Sequence, residues 1–98
     1  MAAHSEQRFN NTRATADLQI KGGAGVVHTV SIAPTTASPT AGLLTIYDAL
    51  TETGTILYSE WVFATTPGHT ILLDCVATVG IFVGYTTVTD VSCTVTWR

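Results

Sequence analysis

Ionic side chains are scarce in this chain. Its 98 residues include 4 Lys and Arg and 7 Asp and Glu, 11% in all, where a globular domain usually carries about 25%. The net charge of −3 and a pI near 5.3 exclude nucleic-acid recognition driven by charge. From residue 22 to residue 97 there is no Lys or Arg at all, a stretch of 76 positions with five acids: Asp48, Glu52, Glu60, Asp74 and Asp90. Such a field repels nucleic acid and anionic lipid alike. Helical periodicity is also missing. No segment of helical length repeats its apolar residues every 3.6 positions, which excludes a coiled coil or helical bundle. The most apolar run, Ile71 to Tyr85, is broken by Asp74, Gly80 and Gly84 and is too short to span a bilayer. The opening Met1-Ala2-Ala3-His4-Ser5-Glu6-Gln7-Arg8 has no basic segment followed by an apolar one, so a secretory leader is not expected and a cytoplasm-like compartment is. Cysteine is limited to Cys75 and Cys93. Two free thiols are the expectation, with a cross-strand disulfide as the alternative, and two cysteines at this spacing do not make a zinc site.

Threonine takes the place of the missing charges. There are 19 Thr, 10 Val and 6 Ile, so β-branched residues are 35 of 98. With 46% hydrophobic residues and little charge, the chain is not disordered. At this length it forms one domain of marginal size. Residues 1–14 are polar and predict an extended N-terminal arm, with residues 15–98 as the folded domain. Seven strands follow at regular spacing. They run from Asp17 to Lys21, Val26 to Ala33, Leu43 to Ala49, Thr55 to Phe63, His69 to Cys75, Ile81 to Thr87 and Val91 to Trp97. Alternation places Val26, His28, Val30 and Ile32 on one face, Leu44 and Ile46 on one face, and Val91, Cys93, Val95 and Trp97 inward. Turns are predicted at Thr51-Glu52-Thr53-Gly54 and Thr66-Pro67-Gly68, and Pro34 to Gly42 reads as a loop. The pattern predicts an all-β fold, an antiparallel β-sandwich of about seven strands; jelly-roll, immunoglobulin-like and barrel connections all fit. Thr55–Phe63 and Ile71–Cys75 are apolar on both faces. A sandwich covers only one of those faces, and neighbouring subunits would cover the other.

No catalytic or metal-binding pattern stands out. Lys21-Gly22-Gly23-Ala24-Gly25 lacks the Gly-Lys-Ser/Thr ending and the helix that a phosphate loop needs, and reads as a hinge. His28 and His69 have no partner at ligand spacing, and His4 has still less. Ser59, His69 and Asp74 contain the residue types of a hydrolytic triad without a Gly-x-Ser-x-Gly elbow. Asp48 and Glu52 flank one turn and are expected to shape it or face water, not to act as paired acids. Trp61, Trp97, Tyr47, Tyr58 and Tyr85 could make a sugar platform, but core or interface packing is the simpler expectation. No enzymatic activity, cofactor or metal is expected. In the arm, Phe9 is flanked by Arg8 and Arg13, an aromatic and cationic set suited to anchoring on a neighbouring chain.

Several segments carry a family likeness. They are Gly25-Val26-Val27-His28-Thr29-Val30-Ser31-Ile32, Gly42-Leu43-Leu44-Thr45-Ile46-Tyr47-Asp48, Gly54-Thr55-Ile56-Leu57-Tyr58, Gly80-Ile81-Phe82-Val83 and Cys93-Thr94-Val95-Thr96-Trp97-Arg98. Over about residues 20–98 the chain resembles small all-β structural proteins of tailed bacteriophages, including capsid decoration (cement) proteins. The resemblance implies a virion component without enzymatic activity, and it carries over no functional residues. The expectation is a decoration protein that binds and stabilises a phage head shell as a homo-oligomer, a trimer foremost. Its partner would be the major capsid protein or another virion protein, and neither nucleic acid nor membrane. It would be located in the virion after assembly in the host cytoplasm. Arg8, Phe9 and Arg13 are the expected shell contacts. The alternatives are a tail, neck or fibre-base subunit, or a carbohydrate-binding β-sandwich module.

Overall fold

The computed structural model describes residues 9–98. Among them β-branched and aromatic residues form eight strands: β1 (Asn10–Ala14), β2 (Leu18–Gly22), β3 (Gly25–Pro34), β4 (Gly42–Asp48), β5 (Thr55–Val62), β6 (His69–Ala77), β7 (Gly80–Thr86) and β8 (Val91–Trp97). They make two four-stranded antiparallel sheets. Sheet A has the order β1-β8-β3-β6 and sheet B the order β2-β7-β4-β5. The pairs β1–β8, β2–β7, β3–β6 and β4–β5 are nested, as if one long hairpin were folded at the β4–β5 turn and rolled up. The pairs β3–β8 and β4–β7 then close each sheet across the roll.

The strand beyond the seven expected from sequence is β1, drawn from residues read as the end of the arm. Its five residues lack a large apolar side chain, so periodicity gives no sign of it. Thr12 pairs with Val95 and Ala14 with Cys93, so small inward groups fit under the sheet edge. The Trp97 indole Nε1 donates to Thr12 Oγ1 at 2.9 Å, and Ala14 is buried.

The central strands of both sheets supply the core. Val30 and Ile32 of β3, Leu44 and Ile46 of β4, Ile81 and Val83 of β7, and Val91, Cys93 and Val95 of β8 are all buried. The expected alternation holds in β4 and β8. In β3 it changes phase: Val27, not Val26, joins Val30 and Ile32 inside. The cause is a pair of β-bulges. Between Val27 and Thr29, β3 gains a residue against β8, while β6 gains one against β3, next to Asp74. Asp74 takes φ 48°, a left-handed conformation that Asp tolerates better than most residues. The expected Lys21–Gly25 hinge is instead a tight turn linking β2 to β3, with Gly23 at φ 116° and its amide donating to Val79 O at 3.0 Å.

The two sides of the sandwich are fastened differently. On the β1–β2 side, the Tyr85 hydroxyl shares its proton between Val91 O at 2.8 Å and Ala14 O at 3.0 Å, and burial raises its pKa. On the β5–β6 side, Glu60 meets His69 across the two sheets. The same deletion should therefore have different costs at different depths. Ile46→Ala, at a fully buried site, should destabilise by about 2–5 kcal/mol. Ile56→Ala, at a site 55% exposed, should change stability by less than about 1 kcal/mol. Urea unfolding of both variants measures the contrast.

Candidate interaction surface

The sequence candidates do not converge on one place. Arg8 and His4 lie outside the described residues. Phe9 stacks on His28, with ring centroids 4.3 Å apart and planes 12° apart, and the Arg98 guanidinium sits 5.3 Å from the Phe9 centroid. His28 in turn places Nδ1 2.5 Å from Asp74 Oδ1, so the two bulges are pinned to each other on the outer side of sheet A. Arg13 is exposed on β1, opposite Thr94 of β8. Phe9 thus packs on its own chain, while Arg13 points away from the core at a sheet edge.

The enzymatic candidates are dispersed in the same way. His69 donates Nε2 to Glu60 at 2.9 Å and Nδ1 to Pro67 O at 2.9 Å. Asp74 is held by His28, so Ser59, His69 and Asp74 do not assemble. Asp48 accepts hydrogen bonds from the amides of Thr78, Val79 and Gly80 and from the Thr78 hydroxyl, and so caps the β6–β7 turn. Those amides lower its pKa to about 2. Glu52 lies over Gly84 and beside Asp17, which raises the Glu52 pKa by hydrogen bonding. Asp17 itself accepts the Tyr85 amide at 2.7 Å, prolonging the β2–β7 ladder. Cys93 and Cys75 are free thiols, and burial lifts the Cys93 pKa to about 12, leaving it unreactive. Among the described residues, no three His, Cys, Asp or Glu side chains gather as metal ligands, and there is no cavity or cleft.

What the fold does build is two unlike outer faces. On sheet A hydroxyls at outward positions bond to one another, and the exposed large apolar side chains are Leu72 and Val76 on the edge strand β6. Thr29 and Thr96 meet at 2.5 Å, Ser31 and Thr70 at 2.8 Å, and Ser92 donates to Ala33 O at 3.3 Å. On sheet B the outward positions include two apolar rows, in which Ile56 and Trp61 are exposed and Leu43, Tyr47 and Phe82 half-buried, and Glu52 lies over Gly84 between them. Leu43 pairs with Trp61, and Tyr47 lies between Ile56 and Phe82. A row of small residues, Ser59, Thr45 and Gly84, separates the two apolar rows. Trp61 is 51% exposed and meets Phe63, 59% exposed, edge to face at 6.4 Å. The five aromatics considered as a sugar platform are split: Tyr58, Tyr85 and Trp97 pack against the core, while Tyr47 and Trp61 lie on the outer face of sheet B. The sheet B face was legible only in part, because the apolar double-sidedness of Thr55–Phe63 was visible but its lateral neighbours Tyr47 and Phe82 were not.

No family model, curated protein or solved structure matches the chain.

The ion pair at His69 sets a pH dependence. Both its ring nitrogens face acceptors, so the imidazolium is the form that satisfies them, and the Glu60 hydrogen bond raises its pKa above 6.5. A raised pKa gives stability that is complete below the unfolded value and is lost as pH rises through the folded value. His69→Gln should therefore lower Tm at pH 5.5 and cost less at pH 8.5. Asp48 works in the opposite direction. Its stabilisation is present above the ordinary carboxylate value of 3.8 and is lost as pH falls towards about 2. Asp48→Asn should reduce Tm at pH 7 and converge with wild type near pH 2. Thermal scans across that range check both.

Proposed function

We propose that this chain is a structural protein of a virus particle, a capsid decoration or cement subunit that stabilises a phage head shell by adhesion. The observation that carries the reading is the apolar outer face of sheet B. Trp61, Ile56, Leu43, Tyr47 and Phe82 form two rows there, on a body without a cation between residues 22 and 97. Exposed apolar side chains gathered on one face mark contact sites, and aromatic residues without lysine are the composition of interface cores. The nested strand pairing supports the same reading. Eight strands in the orders β1-β8-β3-β6 and β2-β7-β4-β5 fit a jelly roll, an architecture used by capsid proteins as well as lectins and cupins. Fold alone does not fix function, so the surface has more weight.

Adhesion needs no chemistry beyond buried area. A standard interface of about 1,600 Å² in total holds one subunit, and an oligomer multiplies the effect through avidity. The two pairs of open strand edges favour a second reading, a ring-forming subunit of the tail, neck or fibre base. Copy number separates the two: a shell protein is present in hundreds of copies per particle and a ring protein in a handful.

Binding to purified particles, followed by co-sedimentation, tests the proposal. Trp61→Ser should weaken binding by about tenfold or more, because central aromatics dominate such contacts. Arg8→Ser with Phe9→Ala tests the arm. Substitution is preferable to deletion, since residues 10–14 form β1. Wild-type chain that stays in the supernatant at every concentration would overturn the reading.

A further inference from the structure

Among the described residues both sides of the sandwich are open, and the two edge strands of sheet A carry opposite charges, Arg13 on β1 and Asp74 on β6. Among the described residues, β5 and β6 each have one strand neighbour and leave one edge of backbone groups unpaired. They are eight and nine residues long and contain neither Lys, Arg nor Pro. Natural sheets usually protect edges of this length with such residues; here the protection is limited to a bulge in each strand and to the acids Glu60 and Asp74. Ile56, Trp61, Leu72 and Val76 project from this side, each more than half exposed. Its acids are Glu60 and Asp74, with His69 as the one group that becomes cationic. The other side carries Arg13 on β1 and Lys21 on β2, with Asp17 in the intervening loop and Glu52 beside it, while Arg98 lies over Phe9.

We propose that copies of this chain join side by side, with the β1–β2 edges of one against the β5–β6 edges of the next, so that both sheets continue across the junction. This rests on reading the chain as an assembling subunit and states how the subunits meet. Strand direction supports it. Each sheet has four antiparallel strands, so its two edge strands run in opposite directions. A copy laid alongside in the same orientation brings its β1 antiparallel to β6 and its β2 antiparallel to β5, the sense of every pair within the sheets. Charge selects this arrangement over its two-fold alternative. Pairing β6 with the β6 of a second copy sets acid against acid, whereas β1 against β6 sets Arg13 on the same outer face as Leu72 and Asp74. A head-to-tail contact of this kind closes into a ring or runs on as a filament.

Sedimentation velocity of the full chain over a wide concentration range tests the junction. The expected result is assembly beyond a dimer, weakened by salt. Arg13→Asp should raise the concentration for half-assembly by about tenfold, and Leu72→Lys should act in the same direction. The double variant should return to within about threefold of wild type, because the carboxylate introduced at position 13 meets the ammonium introduced at position 72. Arg13→Gln should fall between wild type and Arg13→Asp. Both sites are exposed, and thermal scans check that each variant keeps its fold. A chain that remains monomeric, stops at a two-fold dimer, or assembles without regard to Arg13 overturns the proposal. Co-sedimentation with particles is read separately. A monomer that binds particles refutes the junction and leaves the virion reading intact. A ring that ignores particles does the reverse.

Discussion

A two-layer sandwich can cover each sheet on one face only, and the rest of this molecule follows from that limit. The inner faces of β3, β8, β4 and β7 meet in a core of Val, Ile, Leu and one Cys. That core saturates one side of every central strand. The outer sides must then face water or another protein. Sheet A meets water with hydroxyls that bond one another across β3, β8 and β6, and with Leu72 and Val76 exposed on its edge strand β6. Sheet B presents Leu43, Tyr47, Ile56, Trp61 and Phe82, side chains that water solvates poorly. A protein of ordinary composition would place lysines and glutamates there. This one has no cation to place over 76 consecutive residues.

Polar groups act as fasteners at the ends and sides, where the core is thinnest. Tyr85 ties β7 to the β1 and β8 backbones. Glu60 receives both the Tyr58 hydroxyl and His69, so a single carboxylate joins the edge strands of the two sheets. Asp48 organises the β6–β7 turn through three amides. None of these acids is aimed into a cleft. The lowered pKa of Asp48 has a structural cause, the turn amides that it accepts.

The sequence made the strands legible where alternation was clean. Leu44 and Ile46, and Val91 through Trp97, lie as their period requires. It concealed what depends on partners distant in the chain. Strand β1 has only Thr12 and Ala14 to turn inward, and they count as strand residues only because β8 offers them a register. The phase change at His28 could not be read locally, since a bulge is a relation between strands: the extra residues in β3 and β6 face each other and are pinned by His28 and Asp74. Phe9 was legible as an isolated aromatic, but its stacking on His28 depends on the bulge that turns that ring outward. Strand order was invisible in the same sense. The outer face of sheet B was half legible, because double-sided apolar strands announce that something must cover them without naming their neighbours.

Hydrogen exchange read amide by amide at rising protein concentration tests most directly whether these edges and faces exist to be covered by protein. The account predicts that amides of β5 and β6, and of β1 and β2, gain protection as concentration rises, while those of the central strands β3, β8, β4 and β7 stay unchanged. Edge amides that exchange at the same rate at every concentration, with or without particles present, would contradict it.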